Sequence, residues 1–478
     1  MYPWLLPYTL VLSSCGAFVR AQSFIPSVIP LAVRSPYLNS WAIATKSSLP
    51  STNSSAIFWF NARPTDLLET DWLGRIMVDG TTYQWLGNSS TNENVTVARL
   101  VSTNITPTRT IQVIEAGPMN MTITFLSPVE PSDWVKQSLS FSYLAVEAEA
   151  TDGEAHSVQV YSDIAAQWAS PIHTDGVNWT TMTPSDIVYH QFQLSQPTYL
   201  SEMLEFPSDG SYYYAMSRGE NVTYKTCSHT VCRTNFTRYG TLANVENDVN
   251  FRAIDDDWPV FAMSIDLGDI VSTQSSPVVW AVGYNHNPAI QYTVSNDEYQ
   301  LRSPLFMATY PTIADAIVDF LSDFSDAQSR AIALDNRVQQ AASQVTADQG
   351  YYTLLSLSTR QAFSSMSITI NPDIIGNDWN ISDVMIFMKD MGFDGGVNPV
   401  DKMYASFPNF LFFNASLGGP LLLPLLQTQF NNASRLNYAA TELGQIFPTS
   451  VDPTWVADEA VDRMCDIVYS LMRQLTFA

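Results

Sequence analysis

The sequence predicts an α+β fold in two parts: an N-terminal antiparallel β-sandwich region and a helical C-terminal region. Three observations carry this. Short β-branched and aromatic runs fill the chain from about residue 22 to 304. Near Tyr310-Pro311 the pattern changes to apolar residues three and four apart. Asp-Gly turns punctuate the first part, and loops rich in Gly and Pro the second.

The chain has 478 residues, room for two or three domains. Residues 1–21 are expected to be a secretory signal. Trp4 to Leu12 is an apolar run, and Val19 and Ala21 stand at −3 and −1 of a cleavage before Gln22, although no Lys or Arg precedes the run. Residues 22–305 then form the β-sandwich region and 306–478 the helical region. Thr110-Ile-Gln-Val-Ile114, Met121-Thr-Ile-Thr-Phe125, His156 to Tyr161 and Pro277 to Val282 are typical strand runs, separated by turns such as Asp152-Gly153 and Asp209-Gly210.

In the helical region Ile317, Phe320, Leu321, Phe324, Ala327, Ala331, Leu334 and Val338 predict one long helix. Tyr351, Leu354, Leu355, Ser358 and Ala362 predict a second, over 351–365. A third is expected over 382–391, with Ser382 as N-cap, Asp383 in its first turn and Val384, Phe387, Met388 and Met391 on one face. Further helices are expected over 417–428, 434–446 and 456–475.

Net charge is −24 with only 14% charged residues, a surface that repels nucleic acid. No apolar run of transmembrane length follows the N-terminus. Sequons at Asn53, Asn88, Asn94, Asn104, Asn120, Asn178, Asn221, Asn235, Asn380, Asn414 and Asn432 predict a secreted, extracellular glycoprotein. Cys227 and Cys232 suit a small disulfide closing a turn in an oxidising compartment. Cys465, on an apolar helical stripe, reads as a buried thiol.

Several motifs, in order, resemble the secreted glutaminase A family of fungi and bacteria. They are Pro30-Leu-Ala-Val-Arg-Ser-Pro-Tyr-Leu38 with Trp41, Val78 to Tyr83 with Trp85, Tyr161-Ser-Asp-Ile164 with Trp168, and Phe251 to Ile254 with Trp258-Pro-Val-Phe261. Tyr352 to Leu357, Arg360 to Ala362, Asp383 to Lys389, Val397-Asn398, Val400-Asp401, Pro408 and Leu411 continue them. The resemblance implies a β-sandwich region followed by an (α/α)6 toroid of glucoamylase type, and extracellular hydrolysis of L-glutamine to L-glutamate and ammonia. About six helices make half such a ring, so the expected toroid is partial and the chain reads as truncated. An exposed apolar seam would then favour self-association. Thr441-Glu442-Leu443-Gly444 stands where the family carries His-Asp-Leu-Gly, and Ile446 where it carries a second His.

Amide hydrolysis needs an activated water or nucleophile, a proton for the leaving ammonia and charge stabilisation. Gly-x-Ser-x-Gly and His-Glu-x-x-His are absent, and all five histidines precede residue 304. Catalysis in the helical region would therefore use carboxylates, without metal or cofactor. Asp383, Asp401, Glu442 and Asp462 are the candidates, the last sharing a helix face with Glu459 and Asp466. Arg360 and Gln361, at the edge of the 351–365 stripe, are the substrate-binding candidates, Arg360 for the α-carboxylate. Most of these acids would equally serve in first turns or solvated faces, and Arg360 in an ion pair between helices; Lys389 and Lys402 read as surface residues. The alternatives to a glutaminase are a glycoside hydrolase on the same architecture and an inactive secreted protein.

Overall fold

Alternating strands here build two large sheets, antiparallel except for the parallel pairing of 81–86 with 96–97. In the hairpin Arg109–Ala116/Met119–Leu126, every second residue of the first strand is buried, as the sequence alternation requires. It belongs to a nine-stranded sheet in the order 252–253, 176–182, 187–194, 211–217, 278–285, 141–150, 119–126, 109–116, 99–105. A six-stranded sheet runs 222–228, 259–270, 156–165, 72–78, 81–86, 96–97. A three-stranded sheet, 28–35, 38–43 and 56–58, flanks them. The computed structural model describes residues 25–44, 55–58, 69–88, 94–273, 276–295, 298–372, 379–392, 395–432 and 440–450.

Ile114, Ile123, Phe125, Val146 and Trp280 of the larger sheet share one core with Trp72, Ile76, Trp85, Val160 and Met263 of the smaller. Trp72 meets the edge of Phe125 at 5.4 Å and of Trp168 at 5.5 Å. The larger sheet is apolar on its other face too. There Phe141, Tyr143, Tyr213 and Ala281 pack on Phe306, Ile317, Phe320 and Phe324. Tyr143 stacks on Phe320 at 3.9 Å and donates its hydroxyl to the Phe320 carbonyl. This sheet is therefore the wall through which the two parts are packed together. Gly283 lies on it, and a Cβ there would overlap the buried Phe141 ring. Gly283→Ala is expected to lower stability by about 1–3 kcal/mol in urea unfolding. An unchanged midpoint would show that Phe141 has room to move.

Seven helices are described. α1 (Trp134–Ser138) and α2 (His229–Tyr239) lie within the β region. α3 (Ile313–Ser322), α4 (Phe324–Val345), α5 (Gln349–Ser364), α6 (Val400–Phe413) and α7 (Gly418–Asn432) follow it. Cys227 and Cys232 are joined, with Cα atoms 5.9 Å apart. They tie a strand end to the first turn of α2, where a simple turn was expected. No described helix is long and apolar enough to cross a membrane.

The helical part departs from the sequence reading in four places. The long helix over 317–338 is two, broken at Asp323, whose carboxylate holds Arg330 at 2.6 Å and Lys136 at 2.8 Å. The helix expected over 382–391 is instead a strand, Trp379–Met388, paired with Met366–Pro372 in the register Met366↔Met388 and Ile370↔Val384. Val384-Met-Ile-Phe-Met388 is a short apolar run that fits a helical stripe and a buried strand equally. Here burial is continuous from Met385 to Met388, so the strand wins. With 298–304, 290–295 and 449–450 it completes a five-stranded sheet spanning the 305/306 boundary. α6 occupies a segment for which no helix was predicted. It buries Met403, Phe407, Phe410 and Phe413 and tolerates Pro408. Finally, 440–446 of the helix expected over 434–446 are not helical. The signal, Asn53, Cys465 and the 456–475 helix lie outside the described residues.

Candidate active site

The strand Trp379–Met388 delivers Lys389 to the seam between the two parts, where its backbone N–H donates to the Ser365 carbonyl at 2.8 Å. Its side chain is fully buried. Nζ lies 2.5 Å from Glu202 Oε1 and 2.5 Å from Glu205 Oε2. Both acids come from the β region, on the tight hairpin Glu202–Met203/Phe206–Pro207. Its turn residues Leu204 and Glu205 have φ of 49° and 69°. Two successive left-handed residues suit a hairpin turn of the primed type, which ordinarily selects Gly or Asn. Here they are Leu and Glu, a conformation that only firm anchoring sustains. Phe206 packs on Phe58 at 4.1 Å, and the Leu200 N–H donates to Asp209 Oδ2 at 2.8 Å.

The Lys389 ammonium also lies 5.3 Å over the Tyr37 ring and 5.8 Å over Phe447. Two aromatic faces and two carboxylates thus enclose one cation. Burial pushes Glu202 up to about 7, with Lys389 opposing and Glu205 reinforcing the rise. The Tyr37 hydroxyl is raised well above its ordinary value by burial and by Glu202, and so keeps its proton. The ring of His286 stands 5.3 Å from that of Tyr37, and its Nδ1 3.4 Å from Asp209 Oδ1.

Facing the acids is Gly395-Gly396. A Cβ at Gly395 would lie 3.6 Å from Glu205 Oε1, and one at Gly396 would strike Glu442 Oε2. Glycine here lets Glu205 and the buried Glu442 approach the same stretch of backbone. Val397 N–H donates to Gly444 at 2.8 Å, Leu443 to Val397 at 2.8 Å and Phe447 to Gly395 at 2.9 Å, which fixes the Glu442 segment. Lys389 also lines a cleft of about 320 Å³, together with Asn39, Trp41, Gln361, Asp390 and Lys402 among others. Among the described residues no three His, Cys, Asp or Glu side chains are placed to share a metal ion.

The raised Glu202 links stability to pH. Between the ordinary glutamate value and about 7 the native chain holds a proton that the unfolded chain has released. Stability contributed by this group is therefore greatest at the acid end of that window and falls as pH rises through it, by up to about 3 kcal/mol. The expected result is that Glu202→Gln, measured against wild type by urea unfolding, gains relative stability between pH 5 and 8. A constant difference across that range would refute the shift.

Of the sequence candidates, Glu442 lies against Gly396, next to the Gly395 that Glu205 approaches, and Gln361 lines the cleft. Asp401 lies in the first turn of α6, its side chain 68% exposed and 2.9 Å from Lys402 Nζ, which itself stands 3.8 Å from Asp390. Asp383 is on a strand, not a helix terminus. It pairs with the buried Arg302 at 3.2 Å and does not join the cluster. Arg360 is buried against the β region, donating Nε to the Thr106 carbonyl at 2.9 Å, and does not line the cleft. Beside it Asp335 takes Thr108 N–H, Thr108 hydroxyl and Arg109 Nε, all within 3.1 Å. Asp462 lies outside the described residues. Sequence reasoning missed Glu202, Glu205 and Lys389. Lys389 read as a surface residue, although it closes a buried apolar run, and that position was the available signal.

Comparison with known proteins shows what this chain is similar to. Residues 348–462 match the glutaminase A six helical-hairpin domain, and residues 108–341 match a domain of unknown function, DUF5127. Glutaminase A of Aspergillus oryzae (strain ATCC 42149 / RIB 40) is 32% identical over 457 residues, 93% of this chain and 63% of the relative. A protein of Arthroderma benhamiae (strain ATCC MYA-4681 / CBS 112371) named as a probable glutaminase is 26% identical over 474 residues, 94% of this chain and 52% of its own length. The chain is thus a protein with a six-helical-hairpin domain on its C-terminal side. Along nearly its whole length it is similar to proteins named glutaminase A or probable glutaminase. It spans between half and two thirds of the length of these relatives.

Proposed function

We propose that this chain is a secreted, glutaminase-like hydrolase that converts L-glutamine and water to L-glutamate and ammonia, using Glu202 and Glu205 as acid and base. The observation that supports it most is the pair of carboxylates sharing one buried ammonium, with one of them held up near 7. Such a pair divides into a protonated acid and an ionised base. Glu202, the more deeply buried of the two, holds the proton.

In this reading Glu205 takes a proton from water as its oxygen attacks the side-chain amide carbon. Glu202 gives its proton to the amide nitrogen as the carbon–nitrogen bond breaks, releasing ammonia. The new carboxyl gives its proton to the released ammonia, and Glu205 passes the proton it took from water to Glu202, which restores both acids. Lys389 holds the acids in register and lends positive charge beside the oxygen that becomes negative. Glu202 and Glu205 keep 11% and 17% of their side chains exposed while Lys389 has none, so the acids face outward and the cation backs them. The architecture proposed with this function is a β-sandwich region joined to part of an (α/α)6 toroid.

The names of the relatives and the six-hairpin match support the substrate. The test is ammonia release from L-glutamine by the purified chain, alongside sugar release from maltooligosaccharides. Ammonia without sugar is expected; sugar without ammonia, or neither, would reject the reading.

Secretion is supported by the sequons. Asn88, Asn94, Asn120, Asn221 and Asn380 are exposed, and Asn104, Asn178, Asn235 and Asn414 are half-buried. Treatment of the chain from a eukaryotic secretion host with peptide N-glycosidase is expected to increase its gel mobility. An unchanged band would count against glycosylation.

A further inference from the structure

We propose that a small polar cavity beside Arg34 is a binding site for a monatomic halide anion, chloride in physiological media. Arg34 ends the strand Val28–Ser35 and is 4% exposed. Its Nη2 donates to the Lys136 carbonyl at 2.8 Å, and its Nε has no hydrogen-bond partner. Among the described residues no carboxylate pairs with it. Glu130, the acid whose charge it feels most, is held by Arg330 at 2.8 Å. Burial lowers the guanidinium only to about 10, so it remains charged at neutral pH. A buried charge without a counter-charge is costly, and it ordinarily acquires a partner.

The cavity supplies a place for one. It measures about 40 Å³ and is lined by Arg34, Ser35, Ser140, Asn285, His286 and Ser367 among others, with no Asp or Glu in its wall. The Ser35 oxygen accepts the Leu38 N–H at 3.1 Å, which leaves its own proton to donate. The volume suits roughly one to three water-sized occupants. That is the size of a halide with a water, not of phosphate or an amino acid. Water alone would fill the space and satisfy Nε, but would leave the charge uncompensated.

Position gives the anion a role. The wall includes Tyr37, whose ring borders Lys389. It also includes Gln137 of α1 and Met366 to Ile368 of the five-stranded sheet. A bound anion would thus fasten the Arg34–Tyr37 turn between the two parts of the fold, independently of whether Glu202 acts as proposed.

Two measurements test this. In crystals soaked in sodium bromide, an anomalous peak is expected within hydrogen-bonding distance of Arg34 Nε. In thermal unfolding at constant ionic strength, replacing gluconate by chloride is expected to raise the midpoint by about 1–3 °C per tenfold rise in halide once binding begins. Arg34→Met is expected to abolish that dependence. Absence of the bromide peak, with water alone in the cavity, would overturn the proposal. So would an Arg34→Met chain that keeps the wild-type halide response. Should that variant fail to fold, the bromide map decides alone.

Discussion

Lys389→Met is expected to destabilise the chain by about 3–5 kcal/mol, the usual consequence of removing one member of a buried charge cluster. Methionine matches lysine closely in length but lacks the ammonium that lies over the Tyr37 and Phe447 rings. What it removes is the ammonium 2.5 Å from both Glu202 and Glu205. Two half-buried acids would then lie side by side uncompensated. Protonation relieves that repulsion, so the gap between variant and wild type is expected to narrow as pH falls toward 4. Urea unfolding at pH 7.5 and pH 4 measures both effects. Equal stability at pH 7.5 would show that the acids do not depend on Lys389.

Glu202→Gln is expected to lower ammonia release from L-glutamine by about 10²–10⁴-fold, the range for loss of a positioned general acid. The amide keeps the shape of the carboxyl but cannot supply its proton. Because the neutral side chain also avoids burying a charge, this variant should fold at least as well as wild type above pH 7. Loss of activity with retained stability separates a chemical role from a structural one. Glu442→Gln, beside Gly396 and not on Lys389, is expected to have the smaller effect. Reversal of that order would move the acid to Glu442.

The parts of this fold with one strong local rule could be read from the residues. The alternation of Arg109–Ala116 is an example, because a period of two leaves little choice. α5 was legible as a helix but not in its buried face: Leu354 of the expected stripe is 56% exposed and Ser358 is exposed, while Tyr352, Ser356 and Phe363 are buried. The run Val384 to Met388 has no such period. Its strand form depends on pairing with Met366–Pro372, which lies outside any local window. Asp383 fell with it, since a first-turn acid has meaning only at a helix start.

The site itself was the least legible. Glu202 and Glu205 sit on a turn made by Leu204 and Glu205, which carry no turn signature, and their partner is 187 residues away from Glu202. Glu442 could be proposed because family resemblance aligned its segment, whereas Lys389 looked like an ordinary surface lysine. The histidines were set aside because they precede the helical part. Yet folding brings His286 to Tyr37 at the seam, a reminder that order along the chain does not bound a site formed between two parts.

The most direct test is the pH dependence of kcat/KM for ammonia release by wild type, Glu202→Gln and Glu202→Gln/Glu205→Gln. Glu202 must be protonated to act, so the wild-type rate should fall as pH rises through about 7. That limb should vanish from the residual activity of Glu202→Gln, and the double variant should release no ammonia above background. A double variant with the wild-type rate and the same limb near pH 7 would contradict the assignment of acid and base to this pair.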